Sequence, residues 1–131
     1  MRLLLDTHIA LWAMADDHRL PAKAAGLIAD SANEVFVSVA SLWEIAIKHA
    51  LARGKPNDMP ISAQEALGYL LGAGYALLDI TRAHAVAIEG LPMLHADPFD
   101  RMLVAQALTV PLRLLTHDVR VARYSDTVIL V

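Results

Sequence analysis

Apolar residues fall along this chain in short blocks, and the blocks alternate between two kinds. Arg2 to Leu5, RLLL, is a short apolar run that predicts a buried strand, ended by Asp6-Thr7. Asp6 or Thr7 can then cap a helix through Ile9-Ala10-Leu11-Trp12. Pro21 opens a second helix over 22–32, and Glu34 to Val37, EVFV, is β-branched and aromatic and predicts a second strand. Ser38 or Ser41 caps the helix SLWEIAIKHALARG, with Gly54 at its C-cap, and 55–60 is a loop. Ser62-Ala-Gln-Glu65 forms a capping box, and the helix it opens stops at Gly72 or Gly74. A third strand is expected over 76–80 and a helix capped by Thr81 and ending at Gly90. The last third supplies a helix over 98–109 closed by Pro111, a strand over 112–116, a short helix over 118–123 and a strand over 127–131. Strands alternating with helices throughout predict an α/β fold with a mainly parallel sheet of about five strands and helices on both faces.

Composition narrows this picture. At 131 residues one domain, 1–131, is the natural count. The chain is 56% hydrophobic with mean hydropathy +0.45, which a parallel sheet covered on both faces accounts for and a subunit interface could extend. There is no cysteine, so disulfides, thiolate zinc sites and a cysteine nucleophile are excluded; this fits a cytoplasmic protein. The start, MRLLLDTHIALWAMA, has the Arg2, apolar run and small residues of a signal peptide, but Asp6 and His8 interrupt its apolar core, so none is expected. No run reaches the ~18 apolar residues of a membrane span.

The candidate chemistry lies in acids placed at the ends of these elements. In LHADPFDRMLVAQA, Asp97 stands at an N-cap position, Pro98 at the first helical position and Asp100 three residues after the cap, ahead of a run too apolar for an exposed helix. Asp6 follows strand one, Asp118 follows strand four, and Glu44 is a charge among Leu42, Trp43, Ile45 and Ala46. In open α/β sheets, sites form beyond the carboxyl ends of the strands where strand order reverses, so one sheet edge can collect all five acids. Each also has a purely structural reading: Asp6, Asp97 and Asp118 as caps, Asp100 as a first-turn partner of the helix dipole, Glu44 as an i,i+4 partner of Lys48. Gathered together they would repel, and a hard divalent cation resolves that; oxygen ligands without cysteine favour Mg²⁺ or Mn²⁺ over Zn²⁺, and carboxylate-held Mg²⁺ commonly acts on phosphates.

Net charge is −3, so no global basic field for nucleic acid is present. Setting the five acids aside, however, leaves nine of the fourteen against eleven Lys and Arg, and Arg101, Arg113, Arg120 and Arg123 lie near the proposed site in sequence. Of the six histidines, His49 and His84 are expected at surface or boundary positions and His18 in a loop. His8, His95 and His117 each sit within two residues of an acid and could orient it or touch a phosphate. Trp12 and Trp43 are expected in the core.

Four stretches in order, LLLDTHIALW, SVASLWEIAIK, HADPFDRMLVAQA and LLTHDVRVARY, resemble a PIN domain, and specifically a VapC-type toxin of a bacterial toxin–antitoxin pair, over almost the whole chain. The resemblance implies a three-layer α/β/α domain and an Mg²⁺- or Mn²⁺-dependent endoribonuclease. It matches the family's acids to Asp6, Glu44, Asp100 and Asp118, with Thr116 as a polar helper. Asp6 and Asp100 are then the main metal ligands, Glu44 and Asp118 complete the site, and Asp97 is either a ligand or a cap. It further implies a homodimer and a VapB-type antitoxin whose tail blocks the site. Two other readings stay open: an inactive PIN scaffold that binds RNA or a partner, and a receiver-type signalling domain, which would want paired acids after strand one where Asp6 stands alone.

Overall fold

The computed structural model describes all 131 residues, Met1–Val131. Five short strands, β1 (Arg2–Leu5), β2 (Glu34–Ser38), β3 (Ala76–Leu78), β4 (Arg113–Thr116) and β5 (Ile129–Leu130), form one sheet in the order β3-β2-β1-β4-β5. Every pairing is parallel, with Leu3 opposite both Val35 and Arg113. The helices are α1 (Thr7–Met14), α2 (Ala22–Ala29), α3 (Val39–Ala50), α4 (Ala63–Gly72), α5 (Arg82–Ala87), α6 (Pro98–Thr109) and α7 (Val119–Ala122). None is long and apolar enough to cross a membrane.

Side chains alternate across the strands, so each strand feeds two cores. Leu3, Leu5, Val35, Val37 and Leu115 pack with Ile9, Met14, Ala24, Ile45 and Leu70 on one face. Leu4, Phe36 and Leu114 pack with Met102, Leu103, Val104, Ala107 and Val121 on the other. This is the expected three-layer α/β/α arrangement. Helix α6 is buried from Arg101 to Ala107 without a break, which explains its run of apolar residues.

Several boundaries differ from the sequence reading, each for a local reason. Helix α2 stops at Ala29 because Asp30 caps it, and the Asp30 carboxylate takes the Ala32 N–H into a turn. Helix α3 ends at Leu51, whose N–H bonds the Ile47 and Lys48 carbonyls; Gly54, at φ +79°, lies beyond that cap, in a loop where Asp58 accepts from Arg53 and Lys55. Strand β3 ends at Leu78, and the Asp79 carbonyl accepts from Gln106 instead. The capping boxes at Ser62 and Thr81 are both formed, the second using His84 as its third residue. His84 is therefore buried, not a surface residue.

Gln106, fully buried on α6, joins three elements. It accepts from Ser38 Oγ at 2.5 Å and reaches the Asp79 carbonyl and His84 Nδ1, both at 3.3 Å. Replacing it by Leu takes the acceptor from the buried Ser38 hydroxyl, which keeps only the Ala40 N–H, and removes the donor to the Asp79 carbonyl, so Gln106→Leu should cost about 1–3 kcal/mol. Urea unfolding at constant slope checks this; an unchanged midpoint would mean the network contributes nothing net.

Candidate metal centre

The chain leaves β1 toward β2 and β3, then returns to lay β4 on the other side of β1. The crevice between the carboxyl ends of β1 and β4 is thus the point where strand order reverses. Asp6 stands at one lip and Thr116 to Asp118 at the other. They are tied together directly: Asp6 N donates to the Leu115 carbonyl at 3.0 Å, Thr116 Oγ1 donates to Asp6 Oδ2 at 2.5 Å, and Asp118 N donates to Thr116 Oγ1 at 3.1 Å. Thr116 is fully buried, so its hydroxyl has one task, to hold these two acids in register.

Asp6 also caps α1, accepting from Ile9 N at 2.8 Å. Burial pushes its carboxyl above the ordinary range, against the opposing pull of the Thr116 and Ile9 hydrogen bonds. Beside it, Thr7 Oγ1 and Ser41 Oγ bond at 2.9 Å in the interior and pin α1 to α3, one turn ahead of Glu44. Glu44 does pair with Lys48, at 2.6 Å, as an i,i+4 pair would. It is not on the surface, however: its side chain is 4% exposed and Oε1 is buried with no hydrogen-bond partner.

Asp97 caps α6, accepting from Phe99 N at 2.8 Å and Asp100 N at 3.2 Å. That places Asp100 in the first helical turn, facing the same crevice as the others. Its carboxyl is pushed up to about 7, first by burial and then by the charges of Asp97 and Asp6, with Glu44 adding to them and His95 opposing. Asp118 is also pushed up by burial, but Arg120's N–H and guanidinium outweigh this and hold it below the usual carboxylate range. All five predicted acids therefore converge on one end of the sheet.

Of the three histidines that sit near an acid in sequence, His95 is the one that lies against two acids. Its Nε2 lies 2.9 Å from Asp100 Oδ2 and 3.2 Å from Asp118 Oδ2, and these ligand-type atoms lie within 4.8 Å of one another. Its position two residues before Asp97 was the only signal available. His8 and His117 line the neighbouring cleft of about 400 Å³ with Asp6, Trp12, Asp118 and Arg120. A larger cavity, about 520 Å³, shares His8 and Trp12 but contains none of the five acids. Of the five acids, Asp6 and Asp118 line the smaller cleft and Asp97, Asp100 and Glu44 do not.

Two expectations fail. Trp43 is not core: it is 55% exposed and meets Phe99 edge-on at 5.1 Å, linking α3 to α6 on the surface. The arginines do not gather at the site either. Arg101 is buried and bonds the Pro92 and Ile88 carbonyls, and Arg113, at the amino end of β4, bonds the Thr127 carbonyl; of the four, Arg120 alone pairs with a site acid, Asp118.

The donor set fits a hard divalent cation: carboxylates from four segments, no thiolate, one carboxylate pushed up by burial and by its acidic neighbours, and a buried carboxylate oxygen lacking a partner. Thr116→Val keeps the side-chain volume and removes the hydroxyl that bonds Asp6 and Asp118. Any activity that depends on this cleft should fall about 10- to 100-fold, as for other groups that orient ligating carboxylates. Turnover of the folded variant measures this; full activity would show that the backbone alone aligns the two acids.

Comparison with known proteins agrees with this geometry. The model of the PIN domain family matches residues 3–126. No curated protein matches the chain. Among solved structures, the chain is similar to one in VapBC2 from Rickettsia felis bound to a DNA fragment from its promoter, with TM-score 0.69, 18% identity, and 100% of this chain and 98% of that one covered. It is also similar to a chain of a toxin–antitoxin complex from Klebsiella pneumoniae, with TM-score 0.63, 18% identity and coverages of 97% and 95%. A chain of FitAcB from Neisseria gonorrhoeae gives TM-score 0.63, 18% identity and coverages of 98% and 96%. With the family's model matching nearly its whole length and the sheet, helices and acid cluster in place, the chain belongs to the PIN domain family.

Proposed function

We propose that this protein is a divalent-metal-dependent endoribonuclease, the toxin of a VapBC-type toxin–antitoxin pair, acting in the cytoplasm. The observation that carries this reading is the gathering of acids at one end of the sheet: Asp100 and Asp118 meet at His95, Glu44 Oε1 is buried without a partner, and burial together with the charges of Asp97 and Asp6 pushes Asp100 up. Acids that disfavour one another's charge to this degree weaken a fold; their gathering is explained by a cation they hold jointly.

Asp6, Asp100 and Asp118 would hold the ion, with Glu44 and Asp97 completing the set directly or through water. When bound, Mg²⁺ or Mn²⁺ supplies a more acidic water and neutralises charge developing on the leaving phosphate oxygen. The chain's own contribution is orientation. Thr116 fixes Asp6 and Asp118, the Asp97 cap sets the first turn that carries Asp100, and the Thr7–Ser41 bond sets α3 and so Glu44. Single-stranded or looped RNA is the physical default as substrate, because its bases are accessible.

The partners follow from the same reading. Similar structures are VapBC complexes from Rickettsia, Salmonella and Haemophilus, which supports a VapB-type antitoxin here. Trp43, Ile47 and Leu51, exposed at four-residue spacing along α3 and its cap, give an apolar stripe for an antitoxin or for a homodimer contact.

The test is incubation of total bacterial RNA with the purified, antitoxin-free protein in Mg²⁺, Mn²⁺ or EDTA, beside Asp6→Asn. Cleavage that needs metal and is lost in Asp6→Asn is the expected result. Absence of cleavage with every metal from folded protein would replace the nuclease by a binding scaffold.

A further inference from the structure

The geometry points to a role for His95 that the acids do not fill. We propose that His95 is a positioning residue, an Nε2–H donor shared between Asp100 and Asp118 that sets the separation of these two carboxylates, and is not itself a metal ligand. This rests on the metal-centre reading above.

His95 lies in a stretch without regular structure between Leu91 and Asp97, yet its side chain is only 7% exposed. The stretch is held by an unusual anchor. Arg101 is buried on α6 and pairs with no carboxylate. Its guanidinium donates to the Pro92 carbonyl at 2.9 Å, the Ile88 carbonyl at 3.3 Å and Tyr124 Oη at 3.0 Å. Tyr124 Oη in turn accepts from His95 N at 3.0 Å. A buried guanidinium bonded to neutral acceptors alone is costly to keep. What it secures is the placement of His95 over the two acids.

The ring's own bonds decide its protonation site. The Asp97 N–H donates to His95 Nδ1 at 3.3 Å, so Nδ1 carries a lone pair. A neutral imidazole accepting there has its proton on Nε2. Asp100 Oδ2 and Asp118 Oδ2 lie 2.9 and 3.2 Å from Nε2, which is buried, aligned on neither as a regular hydrogen bond, and has no other polar partner. For Nε2 to bind a metal, the proton would have to move to Nδ1, where it would meet the Asp97 N–H head-on. Asp100 lies in the first turn of α6 and Asp118 caps α7, and no hydrogen bond joins the two acids directly. His95 is the group that does.

The experiment compares His95→Ala, His95→Gln and Asp100→Asn with the unsubstituted full chain, reading Mn²⁺ affinity by calorimetry. The ring tautomer is read by long-range ¹H–¹⁵N correlation, metal-free and with Mg²⁺. Loss of Mn²⁺ binding in Asp100→Asn tests the centre itself. His95→Ala should weaken Mn²⁺ binding about 10- to 100-fold, the range for groups that orient ligands. His95→Gln, which keeps an N–H donor near the Nε2 position, should restore most of it, and the ring should show Nε2–H in both states. Equal loss in the Ala and Gln variants, or an Nδ1–H ring on loading, would make His95 a ligand and overturn the proposal. Unchanged affinity in His95→Ala would overturn it in favour of packing alone. Should the unsubstituted protein bind no Mn²⁺, the metal reading fails, and the tautomer still decides whether His95 is a donor.

Discussion

Asp100→Asn should give a protein that cuts no RNA and melts at a higher temperature than its parent. The two effects have one cause. Asp100 sits where burial and the charges of Asp97 and Asp6 oppose its ionisation and push its carboxyl to about 7. Asparagine keeps the shape and removes the charge. A displacement of that size would amount to about 4 kcal/mol if all of it reached stability. The side chain is 21% exposed, so water screens the repulsion, and a gain of about 1–2 kcal/mol is expected, several degrees for a domain of this size. On the proposed nuclease reading, in which Asp100 holds the cation, the same substitution works the other way on cleavage. A bound cation supplies several kcal/mol of transition-state stabilisation, so cleavage should drop at least about a thousandfold. Thermal melts in EDTA at pH 8, run beside the RNA assay, check both. An Asp100→Asn protein that melts lower would make the acid a structural group of α6.

The second large effect concerns pH and metal together. Metal-free protein should lose stability as pH rises from about 5 to 7. In the unfolded chain Asp100 titrates near 3.8, in the folded one near 7. Between those values the folded state holds a proton that the unfolded state has released, and raising the pH removes that advantage. Asp6, also raised, acts in the same direction. Asp17, Asp58, Glu65 and Asp118 are all lowered, so their contributions grow with pH only through the unfolded carboxylate range and are complete before this window. A cation at a hundred times its dissociation constant adds about 2.7 kcal/mol and should reverse the decline. Scanning calorimetry at pH 5, 6 and 7, with EDTA or with Mn²⁺, measures it. A metal-free melting temperature that climbs across the window would contradict the mutual repulsion of the acids.

The legible part of this protein was whatever its neighbours in sequence determine. Asp6 ends an apolar run, and Asp97-Pro98 with Asp100 spells a helix start, so both the element and the acid can be placed from a few adjacent residues. Glu44 stood out because an apolar run tolerates no idle charge. What could not be read depends on partners far along the chain. Gln106 is buried on α6 and bonds Ser38, 68 positions away; Thr116 is named by the family resemblance, but its bond to Asp6, 110 positions away, is seen only in the fold. Arg101 reads as a site cation by proximity, and only the fold shows it bonded to carbonyls instead. Trp43 reads as core by hydropathy, but Phe99 meets it at the surface, and no periodicity encodes that contact.

The central position of β1 has a consequence for how the gene tolerates damage. β1, the first of the five strands in chain order, is the middle strand of the sheet, and β4, its neighbour on one side, is the fourth. Until Leu114, Leu115 and Thr116 are synthesised, Leu3 to Leu5 have one edge unpaired and Asp6 lacks its hydroxyl partner. Parallel pairing of distant segments is slow to form and has no partial version of its active form. A premature stop codon anywhere upstream of position 118 therefore yields no fragment that retains the site. The cleft is complete only once both ends of the sequence are present, and no fragment lacking either carries its full set of acids.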